Sequence, residues 1–286
     1  MFQNKLMNYV MPLAFALLWA STYSTVKIGL DFISPILFVA IRLSAAAAML
    51  LGFVFVIKRE PVPGRIALFH LLIAGALING VTLVTAHVAL VSVQVAPLAL
   101  VHAIHPMLTA AFAVPLLGEV FSARQWGGIA MGVLGVVLVF PFATTDWSVI
   151  TLVSFSLAGL TGGTLYLKFF APDIAAFPST AIQVAGGAIT AVISTLIFET
   201  PYVQWTPALT LSMVWNIFMV SIFAMWIYSV MVTRGQAGRA ASAFFIVPGV
   251  TALSGWIMLD QSMTPLALLG LFIASFGVWL VWWRAE

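Results

Sequence analysis

Residues 34–57 read SPILFVAIRLSAAAAMLLGFVFVI, and Lys58 and Arg59 follow at once. One charge, Arg42, interrupts an apolar run long enough to cross a hydrocarbon core, for which about 20 residues suffice. The run does not alternate polar and apolar residues, as a barrel strand of about 10 residues would. It reads as a membrane helix that ends on two cations. The same ruler, moved outward, divides the chain into ten such segments. They lie near 9–30, 34–57, 66–91, 95–117, 124–141, 149–168, 177–198, 207–232, 239–258 and 265–283. Only short loops and two short termini remain between and beyond them.

Composition agrees. Of 286 residues, 63% are hydrophobic and 7% are charged, where a soluble protein carries about 25% charged residues. A soluble enzyme or a nucleic-acid binder is excluded. The net charge of +3 comes from eleven Lys and Arg spread along the whole chain, which makes no basic patch. The chain has no Cys, so disulfides and thiolate metal sites are out. The first apolar run has no cleavage-site pattern and exceeds a signal-peptide core, so it is expected to stay in the mature protein. The expected fold class is an all-α polytopic membrane protein.

Loop charges give the expected orientation, because Lys and Arg concentrate on the cytoplasmic side. With the N-terminus inside, nine of the eleven cations fall at cytoplasmic ends, among them Lys5, Lys58, Arg59, Arg65 and Arg124. Only Lys27 and Arg42 fall toward the outside. An even number of spans then puts both termini in the cytoplasm.

The chain also repeats. With a shift of 142 positions, Gln94 meets Gln236, Ile104 meets Ile246 and Pro106 meets Pro248. Thr109-Ala110 meets Thr251-Ala252, Gly128 meets Gly270 and Gly135 meets Gly277. Shared Val and Leu mean little in apolar sequence, whereas shared Gln, Pro and Gly carry weight. The expected units are 9–141 and 149–284, each with five spans. An odd number turns the second unit upside down, and inverted repeats around a central site are a signature of transporters.

These features resemble the drug/metabolite transporter superfamily, in its ten-helix branch with two EamA-type repeats. The resemblance rests on residues 19–27 (WASTYSTVK), on the Pro106 and Pro248 patterns, and on 118–128 (GEVFSARQWGG) followed by Gly132 and Gly135. The second repeat departs from it, with Asp260-Gln261 where the first has Gly118-Glu119. Within the family the chain resembles the amino-acid exporters called YddG. The resemblance implies ten helices around a central cavity lined by helices one, three, four, six, eight and nine. Helices five and ten pack behind. It also implies a bacterial inner membrane as the location.

The intramembrane residues add detail. Every Asp and Glu sits at a loop or helix end, so no carboxylate is available at the midplane, where proton-coupled transporters usually place one. This favours an uncoupled facilitator. His102 and His105 are three apart on one helix and share one face. They line the cavity, pack, or shuttle protons; a metal site would want further ligands. Pro106 and Pro248 each remove a helix hydrogen bond, giving a static kink or a hinge. Trp19, Tyr23 and Lys27 form one stripe of the first helix, beside Ser21, Thr22, Ser24 and Thr25. Trp19 and Tyr23 lie deeper than an interfacial belt and are candidates to contact substrate. Lys27 is close enough to the surface to snorkel. Asn79, Thr82, Trp226 and Ser242 complete the candidate binding set, and Ser221 occupies the place of Asn79 in the second repeat. Gly128-x-x-x-Gly132 and Gly270-x-x-x-Ala274 are close-packing motifs. For Arg42 three fates stay open: snorkelling, a backbone carbonyl, or Asp31.

The expected function is export of small amphipathic metabolites, amino acids above all, by alternating access. The chain is expected to work as a monomer in a lipid bilayer, with no cofactor, no metal, no catalytic residues and no nucleic-acid partner. The alternative is a proton-coupled antiporter or an importer of a different metabolite or drug on the same fold.

Overall fold

The computed structural model describes residues 2–117, 122–142, 144–170, 174–233, 244 and 246–282. The described backbone falls into ten helices. They are α1 (Phe2–Gly29), α2 (Pro35–Leu51, continued by Gly52–Ile57), α3 (Arg65–Gly75, Ala76–Val81 and Thr82–Ser92), α4 (Val95–Ala103 and His105–Leu117) and α5 (Ala123–Val139). After them come α6 (Trp147–Phe170), α7 (Ala176–Phe198), α8 (Pro207–Val214, Trp215–Ala224 and Met225–Thr233), α9 (Val247–Leu259) and α10 (Pro265–Trp282). Helices are the expected form in lipid, where each backbone amide and carbonyl must find its partner within the segment. Six are long and apolar enough to cross a membrane by length and composition; the described parts of α5, α9 and α10 are shorter apolar helices.

Local chemistry places the ends. Proline stands in the first turn of α2, α8 and α9, where its missing N–H costs nothing. Thr206 caps α8 by accepting from the Leu209 amide at 3.2 Å. Ser122 and Gln125 form a reciprocal capping box that starts α5. At the end of α9 the chain turns through Asp260, whose φ of 52° is left-handed. The next residue, Gln261, accepts the Val95 amide on its Oε1 at 3.0 Å and so ties the start of α4 to the end of α9.

Two helices change pitch in mid-course. α3 widens to a π-helix over Ala76–Val81 and α8 over Trp215–Ala224. A π turn disturbs the i to i+4 ladder, and side chains take up the slack. Thr82 Oγ1 donates to the Leu77 carbonyl at 3.0 Å. Asn216 Nδ2 donates to the Ser212 carbonyl at 2.9 Å. α4 breaks outright: Ile104 leaves the ladder, and its carbonyl receives the amides of both Met107 and Leu108 at 3.1 and 3.0 Å. Pro106 lies just beyond the break, and Pro248 holds the matching place after Ile246 in α9.

α1 is the polar post of the bundle. Thr22 donates to Asn216 Oδ1 at 2.6 Å, and Asn216 returns a bond to Thr25 Oγ1 at 3.0 Å. Trp215 Nε1 donates to Ser21 at 2.8 Å, and Ser24 shares a proton with Ser254 at 2.7 Å. The hydroxyl-rich face therefore does look inward, and most of it is spent on α8 and α9. Lys27 reaches the end of the neighbouring helix. Its Nζ donates to the carbonyls of Leu90 at 2.5 Å and Val91 at 2.8 Å. These are among the last carbonyls of α3, where a cation is favoured.

At the same end of the bundle, Ile33 and Val203 form an isolated antiparallel bridge between the α1–α2 and α7–α8 loops. Glu199 closes it, its two carboxylate oxygens accepting the Ile36 and Leu37 amides at 3.0 and 2.8 Å. On the far side of the molecule, α5 and α10 touch backbone to backbone. A methyl group at Gly277 would lie 2.5 Å from the Gly128 carbonyl oxygen, and one at Gly135 would lie 2.5 Å from the Gly270 carbonyl oxygen. The helices run antiparallel, and the same contact occurs twice with their roles exchanged.

Candidate functional site

The helices enclose a cavity of about 90 Å³. That admits a few water molecules; pockets for drug-sized ligands run to about 300–1,000 Å³. Its wall is built from α1, α2, α3, α4, α6, α7 and α8. The family resemblance implies α9 as well. None of its described residues lines the cavity, whereas α2 and α7 do.

α1 presents Trp19, Thr22, Tyr23 and Val26 to this space, one helical stripe as the spacing predicts. Below Trp19 stands an aromatic cluster: Phe15 lies 5.6 Å from both Trp19 and Phe244, and Trp19 lies 5.7 Å from Phe244. Trp19 is thus both a cavity wall and part of a packed aromatic floor. Asn79 lines the cavity from the π segment of α3, and its amide has no hydrogen-bond partner among the described residues. Thr82 also lines it, but its hydroxyl is committed to Leu77.

His102 lines the cavity with both ring nitrogens engaged. Nδ1 lies 2.9 Å from the Tyr23 hydroxyl and Nε2 lies 2.6 Å from Ser156 Oγ. Ser156 donates to the Thr82 carbonyl at 3.1 Å. The direction of the chain follows from that last bond. Ser156 has one proton, so it must accept from His102 Nε2–H. His102 Nδ1 then accepts from Tyr23. The imidazole is a neutral, fully satisfied strut between α1, α4 and α6.

Two other candidates fall elsewhere, and a third is not described. His105 lies beyond the break at Ile104 and, like His102, turns toward α6. It lies 3.2 Å from Thr164 Oγ1 on α6 and does not line the cavity. Trp226 stacks on Phe223 at 5.6 Å, is 45% exposed, and lines a groove on the outer face with Phe218 and Met49. Met225, four residues after Ser221, holds the cavity position instead. Ser242 lies outside the described residues, as do Gly118 and Glu119.

Two residues join the site that the candidate set left out. Arg42 is buried in the wall, its Nε donating to Ser221 Oγ at 2.9 Å and its Nη1 to Thr22 Oγ1 at 3.2 Å. It neither snorkels nor meets Asp31. His87 lines the cavity beside it, and neither ring nitrogen has a hydrogen-bond partner. The signal for His87 was present: Asn79, Leu83, Ala86 and His87 continue one face of α3.

Residues 6–140 match the model of the EamA-like transporter family. The match covers just under half of the chain. Over almost its whole length the chain is also similar to uncharacterized transporters. YoaV of Bacillus subtilis is 24% identical over 92% of both chains. The inner membrane transporter YedA of Escherichia coli is 24% identical over 94% of this chain and 88% of its own length. YvbV of Bacillus subtilis is 24% identical over 93% and 88%. A solved crystal structure superposes over 96% of both chains with a TM-score of 0.68 at 16% identity, which speaks for the fold alone. The chain is thus similar to membrane transporters over nearly its whole length, and its cavity is the place to look for a small-molecule site.

Proposed function

We propose that the chain is an EamA-like transporter that exports small amphipathic metabolites, amino acids with aromatic ones among them, by alternating access through the central cavity. The observation that carries the reading is the make-up of the cavity wall. Aromatic rings of Trp19 and Tyr23 face an unbonded Asn79 amide and the Arg42 guanidinium across one enclosed space. Rings suit an apolar side chain, and amide and guanidinium suit a polar headgroup. Trp19, Tyr23, Asn79, Thr82 and His102 form the proposed contact set, with His102 as a wall and strut.

Access is controlled at two ends. The aromatic floor of Phe15, Trp19 and Phe244 closes one, and Lys27 on the α3 carbonyls closes the other. Pro106 and Pro248 act as hinges at matching positions of the two units. The exchanged contacts of α5 and α10 support two inverted five-helix units, 9–141 and 149–284, about an axis in the membrane plane. The chain works as a monomer in a bacterial inner membrane, with both termini in the cytoplasm.

The export is uncoupled, because no described carboxylate lines the cavity. The test is efflux from proteoliposomes loaded with labelled amino acids. Efflux follows the substrate gradient and is unchanged when a pH gradient is imposed. Accumulation driven by the pH gradient alone would refute the facilitator reading and direct attention to His87.

A further inference from the structure

Arg42 is the one charged side chain in the cavity wall, and it is 4% exposed. A guanidinium offers five N–H donors. Two are used, one on Ser221 and one on Thr22, and both acceptors are neutral hydroxyls. The described carboxylates are committed or remote. Glu199 holds the first amides of α2, and Asp31, Glu60, Asp146 and Asp260 are exposed at loops. The positive charge therefore has no counter-charge among the described residues. A charge taken out of water is expensive to hold without one. Tying α1, α2 and α8 together through two hydroxyls needs no charge; a Gln would serve.

The second observation is His87. It is 5% exposed, lines the same cavity, and leaves both ring nitrogens unbonded. In either neutral tautomer the ring has one N–H to give. Its position is held by Phe38, whose ring lies 5.7 Å away. Neither nitrogen of the buried His87 ring makes a hydrogen bond of good geometry; only the backbone of Leu83, one turn back on the same helix, is near enough to attract its proton. A cation without a counter-charge and an imidazole with unbonded nitrogens thus line one enclosed space, together with Asn79.

We propose that Arg42 anchors an anionic group, a carboxylate, on the transported molecule, with the His87 N–H as a second donor. This deepens the proposed function and rests on the cavity being the transport site. A guanidinium fork matches a carboxylate in plane and can hold it through two parallel bonds. The chemistry defines the substrate class as small monocarboxylates and zwitterions. Amines and neutral solutes of the same shape are rejected, because they leave the buried charge unanswered.

The test uses one molecular shape with four headgroups. 3-Phenylpropionate, L-phenylalanine, phenethylamine and 3-phenylpropionamide are titrated into the purified full chain, with melting temperature as the readout and sodium chloride as a control. The acid and the amino acid raise the melting temperature; the amine and the amide do not. Arg42→Met weakens the response to the acid at least ~10-fold, as expected for bonds to a charged group, and His87→Phe weakens it less. Equal stabilisation by the amine or amide overturns the proposal, as does unchanged affinity in Arg42→Met. A response to chloride alone, with nothing added by carboxylates, overturns it in favour of a structural inorganic anion. If Arg42→Met does not accumulate, the wild-type panel decides alone. Carboxylate binding without any efflux from loaded liposomes keeps the anchor and sinks the transport reading. Efflux that ignores the headgroup does the reverse.

Discussion

The Tyr23 hydroxyl donates to Nδ1 of His102 at 2.9 Å, across the interface of α1 and α4. Both residues are buried, and the bond is the first link in a chain that ends on the backbone of α3. Tyr23→Phe keeps the ring and removes the donor, leaving Nδ1 buried and unpaired. An unsatisfied buried acceptor costs about 1–3 kcal/mol. The expected outcome is a lower melting temperature in detergent, with a comparable drop for Ser156→Ala. A Tyr23→Phe protein as stable as the wild type would show that the chain carries no strain-bearing role.

Trp19 has two duties, and a pair of substitutions separates them. Trp19→Ala should cut transport per folded molecule. It also removes ring contacts to Phe15 and Phe244, at a cost of up to about 3–5 kcal/mol for a core aromatic. Trp19→Phe keeps most of the packing. It should restore the yield of folded protein and leave transport altered in its solute preference. Normal per-molecule transport by Trp19→Ala removes the residue from the site.

The α5–α10 seam tolerates no side chain at two positions. Gly135→Val drives carbon into the Gly270 carbonyl and should destabilise by more than the usual overpacking cost of about 1–3 kcal/mol. Gly127→Ala, where nothing lies within 4 Å, should leave stability unchanged or raise it. Thermal melts of the two variants side by side give the comparison. A Gly135→Val protein that melts like wild type would mean the seam is looser than described.

Pro106→Ala restores the amide that the break in α4 lacks. As a static kink, the break should persist with little change in turnover. As a hinge, the repaired helix should be stiffer: turnover falls while substrate affinity and melting temperature hold or rise. The matching change at Pro248 should behave alike. Turnover rate against affinity in proteoliposomes distinguishes the two outcomes.

The ten helices were legible in sequence because hydrophobic length is a one-dimensional property, and each boundary fell within a few residues of a proline, a cation or a loop. The face of each helix was harder. The stripe of Trp19 and Tyr23 held, because α1 is a continuous α-helix. The spacing of His102 and His105 puts them on one face, and both rings meet α6, but only His102 lines the cavity, and nothing in that spacing reveals that the ladder opens at Ile104 between them. Trp226 is five residues from Ser221, and in the α-helix that resumes at Met225 the cavity face passes to Met225. Long-range partners were not legible at all. The hydroxyls that receive Arg42 come from residues 20 and 179 positions away, and the carbonyls that receive Lys27 lie beyond the second helix.

The lone cation in the cavity wall has an electrical consequence. An empty carrier of this design presents a positive charge to the membrane field, and a carrier loaded with a monoanion presents none. Each unit charge moved through the field is worth about 2.3 kcal/mol per 100 mV. The resting voltage of the cell then acts on the return of the empty carrier and leaves the loaded step untouched. A zwitterion changes nothing in this balance, so voltage bears equally on both legs of its cycle. Clamping the liposome potential while changing only the headgroup of the cargo reads out that difference as current.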